Sequence, residues 1–366
     1  MRPWKTALAF TLTLPLFAAE LGTQPDLVAH EWGTFTSVAG ADGAPVRWAP
    51  LTGPPDLPCF VVRTPFTPKV ELSGLVRMET PVLYFYAAQR MNVSVDVKFP
   101  LGSLTEWYPK ASLVDLRSLR WDSVELAPGE NPILPSGKGE SRYFAARSTD
   151  ATPLNAGGQW EKMIFYRGVG SFAVPLRPVF TADGKIQIRN VSEHRVPIAI
   201  VFENRGGWVG YRIASDLQEP VTIEPPDLNG TVSDVRRTIA GALVEHGGLY
   251  PKEAQAMMAT WQDSWFEEGM RVIYILPQPA VDAVLPLTVQ PAPAQITRAF
   301  VGRIELLSPT GKQSMETAIN VGDIAGLQKF GRFLVPFAQQ LGASGGVVAK
   351  AASDLEARFS RRECIP

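Results

Sequence analysis

The chain has 366 residues, 45% hydrophobic and 19% charged, with a formal net charge of -1. It is too apolar and too nearly neutral to be disordered, and long enough for one large core or two smaller ones. With 35 basic against 36 acidic residues, no long-range field draws nucleic acid or an anionic membrane, which argues against both as partners.

The first residues bear on the compartment. Arg2 and Lys5 precede an uncharged, mostly apolar run from Thr6 to Ala19, and the polar stretch Glu20 to Asp26 follows. This is the layout of a signal peptide over residues 1–19, with cleavage after Ala18 or Ala19. The alternative, a retained anchor, meets the difficulty that a bilayer span takes about 20 apolar residues. The expectation is a periplasmic or secreted protein with no stable membrane insertion once the signal is removed. The two cysteines, Cys59 and Cys364, form no metal or redox motif. In an oxidising compartment one disulfide between them is the economical reading, and two separate thiols the other.

Beyond the leader, residues 25–225 read as a β-rich domain. Leu27–Val38, Leu75–Tyr86, Asn92–Phe99, Ser141–Ala146, Lys162–Arg167, Lys185–Ile188 and Val196–Glu203 are rich in β-branched and aromatic residues. Turn clusters containing many of the 32 prolines and 31 glycines separate them. Residues 226–318 read as a helical hairpin, Asp234–His246 and Lys252–Glu268, followed by the strands Met270–Leu276, Leu285–Val289 and Ala299–Leu307, all packed on the β-rich domain. Residues 319–362 read as a C-terminal pair of amphipathic helices, Ile324–Leu341 and Gly345–Phe359. The expected fold is mainly β (α+β): an antiparallel β-sandwich-like body with an inserted helical hairpin and a C-terminal helical pair.

Three segments carry all the candidate site residues but Arg167, a charge in the apolar strand ending at that position. In His30-Glu31-Trp32-Gly33-Thr34, strand alternation puts His30, Trp32 and Thr34 on one face and Glu31 and Gly33 on the other. Only a bulge, which Gly33 permits, would bring His30 and Glu31 into one pocket. The chain has three histidines, and one His with one Glu falls short of a zinc site, so no metal is expected. In Arg77-Met78-Glu79-Thr80-Pro81, alternation places Arg77 and Glu79 on the face of Leu83 and Phe85, which calls for a paired carboxylate. Pro81 suggests an edge or a bulge. In the second hairpin helix, a period of 100° per residue turns Glu268 toward the core with Trp261 and Trp265, and Glu267 toward water. Arg271 is the expected partner of Glu268.

The catalytic candidates are therefore Glu79, Glu268, His30 and Glu31, and the binding candidates are Arg77, Arg167, Arg271 and Trp32. With Arg303 and Glu305 they form a balanced set for a semi-buried ionic network, a feature of active sites and of pure structure alike. Trp107, Tyr108, Trp121, Trp208 and Tyr211 would stack on sugar rings if exposed and build the core if buried. Nucleophile-elbow, P-loop, dinucleotide and His-Glu-x-x-His motifs are all missing from the sequence, and no cofactor is expected.

The segments His30–Val38, Met78–Tyr86 and Thr260–Arg271 resemble those of a family of uncharacterised exported bacterial proteins. The resemblance implies an envelope or secreted setting and brings no catalytic residue with it. Two functional classes follow. One is a binding or structural protein of the envelope, with a small molecule, a glycan or an envelope component as partner. The other is a carboxylate-based hydrolase, with glycans as one substrate class, and with Glu79 or Glu268 as acid and His30 or Glu31 beside it.

Overall fold

In the computed structural model, residues 24–49, 57–64, 73–137 and 141–359 are described. The expected signal peptide and Cys364, and with Cys364 the expected bridge to Cys59, lie outside them. The first part of the chain is β1 (Gln24–Val38), β2 (Val62–Arg63), β3 (Val76–Ala87), β4 (Met91–Lys98), β5 (Gly102–Tyr108), β6 (Ser112–Asp115) and β7 (Ser118–Leu126). A 3-10 turn, Arg142–Arg147, stands where a strand was expected over 141–146. Then come β8 (Leu154–Ala156), β9 (Gln159–Glu161), β10 (Ile164–Gly170), β11 (Leu176–Phe180), β12 (Ile186–Asn190), β13 (Val196–Arg205), β14 (Trp208–Leu217) and β15 (Val221–Ile223). The helical hairpin is α1 (Val232–Glu245) and α2 (Pro251–Trp261), followed by β16 (Gly269–Leu276), α3 (Gln278–Val284), β17 (Leu287–Gln290) and β18 (Pro293–Leu306). The chain continues through α4 (Pro309–Val321), α5 (Ile324–Gln328), a 3-10 turn (Gly331–Phe333), α6 (Leu334–Gln340) and α7 (Val347–Phe359).

The mainly β, α+β class holds. Nine strands form one sheet in the order β14-β13-β16-β18-β1-β3-β10-β5-β2. Neighbours run antiparallel except β1 and β18, which pair in parallel over His30↔Thr297 to Val38↔Glu305. Strands from either side of residue 225 therefore share one sheet, rather than one group packing on the other. One face of this sheet, with Leu27, Phe35, Leu83, Phe85 and Phe300, packs on two smaller sheets through Val95, Trp121 and Ile188. The opposite face, with Trp32, Val82, Ile273 and Val301, lies under α1 and α2 through Val235, Ile239, Met257 and Trp261. A third cluster joins Val38 and Trp48 to the C-terminal helices through Met315, Leu327, Phe333 and Phe337.

Three departures from expectation shape the site. First, Gly33 lies opposite both Thr80 and Pro81, because Trp32 pairs with Val82 while Thr34 pairs with Glu79. The extra residue is thus on β3, where Thr80 takes φ 49°. A one-residue bulge inverts facing downstream. Arg77 and Glu79 consequently lie on the helical side, while Leu83 and Phe85 point into the sandwich, contrary to simple alternation. Second, α2 stops at Trp261 instead of running to Glu268. In the irregular segment that follows, the carbonyls of Trp265, Glu267 and Glu268 accept from the Arg271 guanidinium. Third, the helix expected over 324–341 is broken by the 3-10 turn at Gly331, whose φ is 51°.

Close packing at the sheet centre gives a stability test. A Cβ on Gly302 would stand 2.0 Å from the Tyr274 ring, whereas one on Gly241, in α1, would meet open space. Gly302→Ala is expected to lower stability by about 1–3 kcal/mol and Gly241→Ala to raise it by about 0.5–1 kcal/mol in urea titrations.

Candidate functional site

Between the large sheet and its helical cover lies a layer of buried ions. Its centre is Arg303 on β18. Its Nε donates to Glu305 Oε1 at 2.5 Å, Nη1 to Ser264 Oγ at 2.7 Å and Nη2 to Glu267 Oε1 at 2.7 Å. Arg271 faces Glu305 across the β16–β18 pairing. Its Nε is 3.0 Å from Glu305 Oε1, close enough for Coulomb attraction although not aligned as a hydrogen bond. Its Nη1 donates to the Trp265 and Glu267 carbonyls at 2.7 and 2.8 Å.

Glu79, 2% exposed, lies beside this group. Thr36 Oγ1 donates to its Oε2 at 2.6 Å, Arg332 pairs with its Oε1, and Arg77 Nε lies 3.3 Å from the same oxygen. Burial pushes its pKa up, but Arg332, Arg77 and Arg303 outweigh burial and hold the carboxyl well below the usual range. Glu267 is lowered in the same way, against its burial, by Arg303, Arg271 and Arg332.

The carboxylate expected inside is therefore the wrong one of its pair. Glu268 is exposed, and only its backbone carbonyl reaches Arg271, at 3.1 Å from Nη2. The helical phase that turned Glu268 inward ends with α2, and in the turn that follows Glu267 faces Arg303. Arg271 still joins this region, through backbone carbonyls and Glu305.

The other candidates separate. Glu31 points into the sandwich, where Arg298 Nε donates to it at 2.7 Å, Tyr166 bonds to it, and Arg298 Nη1 also reaches Asp282 at 2.8 Å. His30 points the opposite way, as alternation expects, and its Nδ1 donates to Glu253 Oε2 at 2.8 Å. Glu253 also accepts from the Tyr250 backbone N–H and the Tyr86 hydroxyl, each at 2.8 Å. Burial and the Glu253 charge raise the Tyr86 pKa. Along β1, Thr36 lies six residues beyond His30, roughly 20 Å at the rise of a strand, so His30 and Glu79 do not share a pocket. Arg167 donates to Thr80 Oγ1 at 3.0 Å from Nη2, and Trp32 is core beneath α2.

Sequence reasoning missed Glu253, Arg298, Arg332 and the pair Arg147–Glu161, joined at 2.6 Å. Glu253 alone had a local signal: an acid in the first turn of a helix opened by Pro251. The partners of Arg298 and Arg332 come from distant parts of the chain. Among the described residues no group of three or more His, Cys, Asp or Glu is placed to hold a metal ion.

Open surface lies elsewhere. A cleft of about 730 Å3 is lined by residues including Arg195, Ile198, Asp216, His246, Gln278 and Arg298. A second, of about 480 Å3, lies where β13 and β16 meet α4 and α5, and Glu268 lines it together with Glu203. Trp107, Tyr108 and Trp121 are buried, Tyr211 is half-buried, and Trp208 is exposed.

No family model and no curated protein matches the sequence. Among solved structures, the Yeast delta-COP-I mu-homology domain aligns over 76% of this chain and 96% of its own at 9% identity, with a TM-score of 0.29. The same domain complexed with Dsl1 WxWxV peptide aligns over the same shares at 8% identity and 0.28. Likeness at that level supports no argument about function.

Two expectations follow. Glu267→Gln should lower stability by about 1 kcal/mol, and Glu268→Gln by less than about 0.5 kcal/mol, in parallel urea titrations. Glu79→Gln should cost about 3 kcal/mol at pH 7, because it strips a buried arginine of its counter-charge. The depressed pKa of Glu79 means that its contribution is complete above the unfolded carboxylate value, about 4.3, and is lost as pH falls below it. The gap between wild type and Glu79→Gln should therefore narrow on acidification below about pH 4; a gap independent of pH would contradict the assignment.

Proposed function

We propose that the chain is an exported protein, periplasmic or secreted, with a binding or structural role at the cell envelope. The leader pattern over residues 1–19 supports export. Among the described residues no helix is long and apolar enough to cross a membrane.

The observation that carries the binding reading is the state of Glu79. A general acid at neutral pH needs a carboxyl whose pKa is raised by burial and left without a strong counter-charge. Glu79 is buried but accepts from Thr36 and pairs with Arg332 and Arg77, which shift it the opposite way. Glu31 is likewise tied to Arg298. These carboxylates act as counter-ions that fasten layers together, and His30 faces Glu253 with no serine, threonine or cysteine hydroxyl or thiol bonded to it among the described residues. The hydrolase alternative takes Glu79 or Glu268 as its acid, and against it stand the arginine pairing of Glu79 and the exposure of Glu268.

The test is direct. Cell fractionation should place the protein in the periplasm or culture fluid with its N-terminus at Ala19 or Glu20, and non-reducing peptide mapping should join Cys59 to Cys364. In a hydrolase-substrate screen the mature protein should turn over nothing above background. Turnover abolished by Glu79→Gln in a protein that still folds would overturn the reading, and so would recovery of the full-length chain in the cytosol.

A further inference from the structure

We propose that the cleft between the β13–β14 hairpin and α4 binds a glycan. This rests on the binding reading above and assigns it a place and a ligand class. The first observation is Glu203. It is 3% exposed, yet it lines the cleft. Arg205 holds only its Oε1, through Nη2 at 2.6 Å and Nε at 3.1 Å. Its Oε2 has no hydrogen-bond partner among the described residues and is not sealed from solvent. A buried carboxylate oxygen left open to a cleft is an acceptor awaiting a donor.

The second observation is the chemistry of the opposite wall. Thr310, Gln313 and Thr317 recur at helical spacing along the exposed face of α4, and Glu268 projects from the turn before β16. Hydroxyls and an amide both donate and accept, while the carboxylates only accept. That mixture matches a ligand dense in hydroxyl groups, each of which donates once and accepts twice. Three carboxylates and two cations line the cleft, so its field is weak and favours a neutral ligand over a polyanion.

The third observation is Trp208, 71% exposed at the start of β14. It pairs with Arg205 across the hairpin, which puts both side chains on one face, the face of Glu203. An indole ring next to a polar cleft offers a platform for the apolar C–H face of a sugar, whose hydroxyls then point toward Glu203 and α4. Glu268 thus serves as a ligand contact at the surface, a role different from that of a core acid.

The experiment uses the purified exported protein on an array of immobilised neutral and acidic oligosaccharides, followed by titration of the best-bound one in solution. Trp208→Ala and Glu268→Gln change exposed side chains and should each weaken binding about tenfold or more with an unchanged melting temperature. Val114→Ser, on β6 away from the cleft, should leave affinity unchanged. Folded protein that retains no oligosaccharide, or retains one equally well in both cleft variants, overturns the proposal. Release of new reducing ends from a bound oligosaccharide would overturn the binding reading while upholding the cleft. Capture of a different class of ligand, insensitive to both substitutions, would uphold the binding reading and sink the cleft.

Discussion

A guanidinium group buried between a sheet and its helices must find acceptors for its five N–H donors, and this requirement organises the interior of the chain. Arg303 takes one carboxylate from its own strand, one hydroxyl and one carboxylate from the turn after α2. Arg332 reaches from the C-terminal helical region to Glu79 on β3. The two arginines flank Phe333, at 5.3 and 4.9 Å from its ring centroid. Removing Glu79 takes the buried counter-charge from Arg332 and Arg77, which costs far more than an exposed pair is worth. The layer thus holds three separate parts of the chain in register with the sheet: β3, the turn at 262–268 and the 3-10 turn Gly331–Phe333.

The bulge at Thr80 and Pro81 makes that layer possible. Without the extra residue, the alternation that carries Leu83 and Phe85 into the sandwich would carry Glu79 there too, away from Arg332. With it, one strand supplies apolar side chains to the sandwich core and an acid to the helical side. The parallel pairing of β1 with β18 has a matching effect. It sets Thr36 beside Arg303 and Glu31 beside Arg298, so each face of the sheet has its own buried pair. On one face Glu31 is sealed by Tyr166 and Arg298. On the other, His30 and Glu253 lock the start of α2 to the sheet, roughly 20 Å from the arginine layer.

Local features of sequence were enough for the β-rich class, the helical hairpin and the opposite facing of His30 and Glu31. All three depend on periodicity within a few residues. The hairpin helix over 234–246 matches α1 almost to the residue, because Thr231 accepts from the Asp234 N–H at one end and Gly247 follows the other. The same local reasoning failed for Glu268. Nothing near it in sequence indicates that the helix would end at Trp261, about two turns early, or that Arg271 would bind the carbonyls of residues 265, 267 and 268. It failed again for the facing of Glu79, since Pro81 signalled a bulge without saying on which side of it the acid would fall. The 3-10 turn at Arg142–Arg147 escaped because its aromatic residues read equally well as strand.

The amino-acid sequence by itself determined the dominance of strands, the presence of inward-facing charges and the separation of His30 from Glu31. Each follows from composition or from the fixed repeat of a helix or strand. Only the tertiary structure decided which carboxylate meets which arginine, that Glu267 and not Glu268 turns inward, and that Glu203 and Glu268 line one cleft. The ionic outcomes depend on groups that folding brings together, 36 residues apart for Glu267 and Arg303 and 253 for Glu79 and Arg332. A charge inside a protein takes whatever counter-charge the folded chain delivers to it, and no repeat within a single segment encodes that delivery.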